Sequence, residues 1–316
     1  QYVHLAKFED YQSREEPADG LSGKREALVD DLYFHFVTDS STRVAGIQSG
    51  EYDVAHAVPF DSAELLENDE NIENHVYPGG YLLVVFNKKN GIFTDVKARE
   101  AAVAALDMED ILKAGYTDEK YYHLNHTMMM SHQKAQWDSE VGKDIYNHQD
   151  SEKAKQLFEE AGYDGEEITI ITTRDYDDQY NGAVVVQEQF EQLGINVELN
   201  VYDWATLLEN NKDENAYDIY VMGFVAVPEP TSLSFLRANY PGWTDSPELV
   251  ELIDEFRGQP TLEDAINYYD QLQEWYWNYI PVIKAGDFNR VSSTRTTVSD
   301  FQYQDGFIFW NISNNK

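Results

Sequence analysis

Residues 150–230 alternate helix-like and strand-like patterns without a break, and no other stretch constrains the fold as strongly. Asp150 is placed to cap a helix in which Ala154, Leu157, Phe158 and Ala161 recur at i, i+3, i+4 and i+7, with Gly162 as the stop. Residues 167–173 read as a strand. A second helix sets Ala183, Val186, Phe190 and Leu193 on one face and stops at Gly194, after which Ile195, Val197, Leu199 and Val201 alternate. Strand, helix and strand joined by short loops imply a right-handed crossover between parallel strands. Asp203 then caps a helix carrying Trp204, Leu207 and Leu208. Residues 217–222 return as a strand and run into Gly223-Phe224-Val225-Ala226-Val227-Pro228-Glu229-Pro230. The expected class is α/β, with a largely parallel sheet.

The flanks add fewer constraints. Residues 1–10 and 31–38 read as strands around a polar loop with Pro17, Gly20 and Gly23, and residues 42–48 as a short helix. Gly79-Gly80 reads as a flexible pair before an apolar strand at 81–87. An alanine-rich helix spans 95–106, and Asp107 caps a short helix ending at Gly115. Residues 116–149 read as a long, polar, irregular loop, of the kind that is functional or mobile. Ser246-Pro247 opens a helix stopped by Gly258, and Thr261-x-x-Asp264 resembles a capping box opening another that ends before Pro281. The tail 282–309 reads as strands and turns.

Composition excludes more than it identifies. The chain has 58 acidic and 23 basic residues, a net charge of −35. Such a balance is wrong for nucleic acid, whose binding needs cations to displace counterions from phosphates, and for an anionic membrane surface. It suits a solvated surface in saline or alkaline surroundings. With no cysteine, disulfides, thiolate catalysis and Cys-rich zinc sites are impossible. No apolar run approaches the roughly 20 residues that span a bilayer. The opening Gln1-Tyr2-Val3-His4-Leu5 reads as a strand already in progress, and a larger parent protein is expected.

Chemistry-bearing patterns are sparse. His123, His126 and His132 with Met128, Met129 and Met130 offer soft ligands, but their spacing matches no established metal site and the bland reading is a polar loop. Carboxylate pairs cannot be singled out among so many acids. A hydrolase elbow, a P-loop and a dinucleotide glycine motif are all missing. Trp204 and Phe224 stand where strand ends give way to loop or helix, the edge at which open α/β sheets bind ligands, and their flat faces suit peptide side chains or sugar rings.

Several phrases also carry a resemblance. Thr42-Arg43-Val44-Ala45-Gly46-Ile47-Gln48-Ser49-Gly50-Glu51-Tyr52-Asp53 is one; Phe86-Asn87 with Phe93-Thr94-Asp95-Val96-Lys97-Ala98-Arg99-Glu100-Ala101 is another. Lys153-Ala154-Lys155 through Glu160-Ala161-Gly162-Tyr163, then Gly194-Ile195-Asn196-Val197, Tyr202-x-Trp204 and Tyr217-Asp218 with Gly223, continue in register. Together they resemble the C-terminal part of a family 5 extracellular solute-binding protein, the oligopeptide/dipeptide-type receptor of ABC importers.

That resemblance implies a two-lobe periplasmic-binding-protein-like fold (type II, cluster C) with ligand enclosed between hinged lobes and the first lobe incomplete. Residues 1–80 would belong to lobe 1, 81–279 to lobe 2, and 280–316 would return to lobe 1. A segment preceding Gln1 would carry the signal and a lipid-anchored cysteine, making the protein an extracellular, membrane-anchored, monomeric lipoprotein that delivers solute to a permease, with no cofactor. Trp204 and Phe224 match pocket-lining aromatic positions, and Tyr81 and Arg174 complete the candidate set. The family's amine-holding aspartate falls at Val227, and Glu229 is the nearest carboxylate in that loop. Peptide is the first ligand expectation, oligosaccharide the second and nickel or a metal chelate the third, the last resting on the His/Met stretch. A carboxylate glycosidase is the remote alternative.

Overall fold

A computed structural model describes residues 1–304 and 306–315. The chain divides into two compact units, one formed by Gln1–Tyr77 with Asn289–Lys316, the other by Pro78–Phe288.

In the first unit, β1 (Tyr2–Ala6) and β2 (Asp31–His35) form an antiparallel ribbon pairing Tyr2 with His35 and Ala6 with Asp31. Helix α1 (Ser40–Ser49) begins where Asp39 accepts from the Thr42 amide and ends at Gly50, whose φ of 79° supplies the left-handed cap. Strand β3 (Val54–Ala55) and helix α2 (Phe60–Leu66) come after it. Strand β4 (Ile72–Phe86) carries the chain out of this unit. Within the unit, His56 Nδ1 lies 2.9 Å from Tyr77 Oη and 3.2 Å from Ser292 Oγ. Desolvation of that ring edge, reinforced by the Arg290 and Arg43 cations, lowers the His56 pKa from 6.5 to about 4. The folded chain therefore refuses a proton that the unfolded chain accepts, and stability falls as pH drops from 6.5 through about 4. His56 as a whole is exposed although its Nδ1 edge is covered. Solvent screening thus reduces the expected loss to about 1 kcal/mol. Urea titrations across this range should show that slope flattened in His56→Gln; an identical slope in the variant would assign it to other groups.

The second unit is built on β4. Leu82, Leu83, Val84, Val85 and Phe86 are all 0% exposed. Consecutive strand residues face opposite ways, so both faces of the strand are covered. Helices α3 (Val96–Ala105) and α4 (Met108–Tyr116) come next, then β5 (Tyr122–His123), α5 (Ser151–Glu160), β6 (Ile168–Thr173), α6 (Asp177–Gln192), β7 (Val197–Tyr202), α7 (Trp204–Asn210) and β8 (Ile219–Phe224). Helices α8 (Pro247–Arg257) and α9 (Leu262–Tyr279) precede β9 (Val282–Arg295), which re-enters the first unit, where it pairs with β3. The short strands β10 (Val298–Ser299), β11 (Gln302–Tyr303), β12 (Phe307–Ile308) and β13 (Ser313–Asn314) close the chain.

The sheet order β4-β8-β6-β7 is mixed rather than largely parallel. Strands β6, β7 and β8 run parallel, whereas β4 lies antiparallel to β8, with Tyr81 opposite Phe224. Strand β7 is the edge, which explains why its alternating Val197, Leu199 and Val201 are only half-buried.

The expected caps form. Asp107 accepts from the Glu109 and Asp110 amides, Asp150 from Lys153, Asp203 from Thr206, Ser246 from Leu249 and Thr261 from Asp264. Each such cap stabilises its helix by about 1 kcal/mol. Helix α9 ends in a left-handed Ile280 (φ 50°), and its Tyr279 carbonyl accepts from the buried Arg99 guanidinium at 3.0 Å.

Candidate functional site

Parallel β6, β7 and β8 bring their C-terminal ends to one edge of the second unit: Thr173 pairs with Tyr202, and Ile171 with Tyr220. The residues just past each strand are therefore gathered there. After β6 come Arg174, Asp175 and Tyr176; after β7, Asp203 and Trp204; after β8, the 225–229 loop.

Trp204 opens α7, and its amide donates to Asp175 Oδ2 at 2.8 Å. Its half-buried ring meets Tyr176 edge-on at 5.2 Å. The Arg174 amide donates to the Tyr202 carbonyl at 3.1 Å, and its exposed guanidinium lies 4.8 Å over the Tyr180 ring. Trp204, Tyr176 and Arg174 thus form an accessible aromatic and cationic surface along two strand ends. The spacing did not single out Tyr176; its one signal was its place just past a strand end.

Phe224 and Tyr81 stack at 6.1 Å and 9°. Tyr81 is 2% exposed and Phe224 9%, so Tyr81 forms a floor under Phe224 rather than a surface of its own. Burial raises the Tyr81 hydroxyl pKa, with smaller contributions from Tyr240, Asp287 and Tyr276, and the hydroxyl stays protonated at neutral pH. Val227 is half-buried with its carbonyl held by Gln133 Nε2 at 2.7 Å. The Glu229 carboxylate turns back on its own 3-10 turn, where it accepts from Thr231 N at 2.8 Å, Thr231 Oγ1 at 2.8 Å and Ser232 Oγ. It thus caps its own turn. Pro230, a helix-opening residue at N1, was the signal for that turn.

The 116–149 stretch departs from a polar loop. Met128, Met129 and Met130 are 1–2% exposed, and Trp137 is 2% exposed. His126 Nε2 lies 2.7 Å from the Ser139 carbonyl, His123 pairs with Asp287 in the β5–β9 ladder, and His132 is exposed on a short turn. Among the described residues no group of three His, Cys, Asp or Glu side chains is placed to hold a metal. The methionines are core, as expected of soft side chains that fill irregular gaps.

Beneath the loop lies a buried charge pair that spacing did not single out. Lys284 Nζ is 2.5 Å from Asp287 Oδ1, with side chains 4% and 1% exposed. Burial lowers the Lys284 pKa, opposed by the charge of Asp287. A lysine and an aspartate inside the apolar run Val282-Ile283-Lys284-Ala285-Gly286-Asp287-Phe288 were the available signal.

The sequence model of the bacterial extracellular solute-binding proteins, family 5 middle region, matches residues 1–246. A probable peptide ABC transporter periplasmic-binding protein of Sinorhizobium fredii is 29% identical over 294 residues, covering 88% of this chain and 55% of that protein. The solute-binding protein AgaA of A. tumefaciens R10, solved with agropinic acid, superposes with a TM-score of 0.83 at 22% identity, over 99% of this chain and 64% of its own. The oligopeptide-binding protein AppA of Bacillus subtilis, solved with a nonapeptide, gives 0.79 at 22%, over 96% and 62%. The fold is thus that of the type II periplasmic binding proteins. The chain spans about half the length of the curated relatives that match most of it. Among the described residues no helix is long and apolar enough to cross a membrane.

Proposed function

Because the chain belongs to the family 5 bacterial extracellular solute-binding proteins, we propose that it is the peptide-binding component of an ABC importer, a receptor that holds its ligand without making or breaking a bond. The two compact units serve as its lobes, joined through β4 and β9. It works outside the cytoplasmic membrane as a monomeric lipoprotein and passes its ligand to a membrane permease.

The observation that carries this reading is the strand-end surface of Trp204, Tyr176 and Arg174 beside Phe224 and its loop. Aromatic faces take up side chains of varied shape, while a guanidinium pairs with a carboxylate or a peptide carbonyl. The names of similar proteins support it: one is called a probable peptide transporter component, and another holds a nonapeptide. With valine at 227 and Glu229 spent on its own turn, the ligand's amino group is not the main handle. N-acetylated and free peptides should therefore bind within about threefold of each other, a difference under 1 kcal/mol.

The deciding experiment is calorimetric titration with alanine and leucine oligopeptides, wild type against Trp204→Ala. Truncating an aromatic anchor at a binding surface should weaken affinity about tenfold or more, at least about 1.4 kcal/mol. An unchanged dissociation constant in a folded variant removes Trp204 from the site. Turnover of chromogenic glycosides would instead favour a glycosidase.

A further inference from the structure

Residues 125–137 have no part in the binding reading, yet they are anchored at one end and hold another segment at the other. At the anchored end Asn125 Nδ2 donates to Asp287 Oδ2 at 2.8 Å, and the Ser131 amide donates to the same oxygen at 2.6 Å. Lys284 Nζ donates to the carbonyls of Thr127 at 2.9 Å and Met129 at 2.8 Å. Gln273 clamps the middle: its Oε1 accepts from the Met128 amide at 3.1 Å, and its Nε2 donates to the His126 carbonyl at 2.9 Å. At the far end Gln133 Nε2 donates to the Val227 carbonyl at 2.7 Å and Trp137 Nε1 to the Pro228 carbonyl at 3.1 Å. Gln133 is itself fixed, its Oε1 accepting from the Met130 amide at 3.2 Å. The Trp137 ring is packed against Phe256 at 5.8 Å and Tyr269 at 5.7 Å.

The loop after β8 has little else to hold its shape. Pro228 and Pro230 have no N–H to donate, Val225 is 74% exposed, and Glu229 bonds within its own turn. Among the described residues, Gln133 and Trp137 are the side chains that donate to the backbone of 225–228. Both donors are held by buried partners and neither can follow the loop if it moves, so they select one loop conformation.

We propose that Gln133 and Trp137 are positioning residues that fix the 225–229 loop and thereby set which peptides it accepts, with the buried Lys284–Asp287 pair as their anchor. This rests on the loop's being part of the ligand site. A site shaped by a held loop discriminates ligands through the differences in fit that the loop imposes, and loosening it changes relative affinities, not only absolute ones.

The test uses the combined variant Gln133→Met, Trp137→Phe, which keeps length and ring packing but removes both donors. Two readouts are taken on the intact chain. Hydrogen exchange in the segment 224–233 should accelerate about tenfold while that in β6 and α6 is unchanged. The ratio of dissociation constants for alanine tripeptide and leucine tripeptide should shift about fivefold. Unchanged exchange in 224–233 overturns the positioning role. A uniform loss of affinity, with the ratio preserved, overturns the selectivity role and leaves a merely structural one. If the wild-type chain binds neither peptide, the receptor reading and the selectivity role fail together, and the exchange measurement still decides the positioning role.

Discussion

Replacing Lys284 with methionine is expected to lower the folding free energy by about 3–5 kcal/mol, because it strands a buried carboxylate. Asp287 is 1% exposed and would retain only the Asn125 amide and the Ser131 N–H as partners. The carbonyls of Thr127 and Met129 would lose a donor as well. The double variant Lys284→Met, Asp287→Leu should recover about half of that loss, since both desolvation costs disappear while two donors remain orphaned. Urea unfolding of the three chains checks this; a single variant within about 1 kcal/mol of wild type would show that the pair does not hold the core together. The pH dependence has a definite sign. Burial lowers the folded pKa of Lys284 below its ordinary 10.5. The desolvation cost is therefore fully present below the folded pKa. It is relieved as pH rises from there toward 10.5, where the unfolded chain still holds a proton that the folded chain has released. Stability should rise across that window in wild type, and the rise should be missing in Lys284→Met.

The pair also shows where reading the sequence stops. Helix starts at Asp107, Asp150, Asp203, Ser246 and Thr261 are legible because an N-cap bonds an amide two or three residues away, so its information is local. The direction of β4 is not local: an apolar run reads the same whether its neighbour is parallel or antiparallel, and the pairing partner, β8, lies far along the chain. Nor is the burial of Asn125 and of residues 127–130, which is imposed by α9 and β9 through contacts such as Met128 to Gln273 and Asn125 to Asp287. A segment that mixes two histidines, two glutamines, an asparagine and a lysine with its methionines looks solvated until the partners that satisfy it are in view.

The phrases that carry the family resemblance turn out to be structural stitches. Asn87 is fully buried; its Nδ2 donates to the carbonyls of Glu214 and Tyr217, and its Oδ1 accepts from the amides of Lys89 and Asn90. Asp218 accepts from the Thr169 amide at 2.8 Å. Arg99 bonds the carbonyls of Phe93, Thr94 and Tyr279, and Arg43 those of Val37, Thr38 and Ala57. Such residues specify the fold whatever the ligand, so the family was legible while the ligand was not. Trp204 and Arg174 owe their shared edge to the ends of parallel strands, which spacing does reveal. Glu229 is in the candidate set as the nearest carboxylate of its loop and Tyr81 through the family resemblance, whereas their partners make one a cap and the other a floor.

Gly80→Ala is expected to cost about 2–4 kcal/mol, combining backbone strain with a disturbed strand ladder. The Gly79-Gly80 pair reads as flexible, yet Gly80 lies within β4 at φ 149°, and a Cβ there would sit 1.9 Å from the Phe224 carbonyl oxygen and 3.0 Å from Phe288 Cζ. Neither obstacle is a free side-chain end: one is backbone, and the Phe288 ring is stacked on Tyr116 at 4.9 Å. Relief must come from moving β8 away from β4 at the very pair, Tyr81 opposite Phe224, on which the strand-end surface rests. Gly162 supplies the control, since its φ is 92° but nothing lies within 4 Å of a Cβ, so Gly162→Ala carries conformational strain alone, about 1 kcal/mol. Thermal or urea unfolding of both variants separates close approach from mere conformational freedom; equal losses would mean that β8 yields freely. If it does not, Gly80→Ala should also weaken peptide binding, because Phe224 and the loop after it move with the displaced strand, whereas Gly162→Ala should leave affinity unchanged.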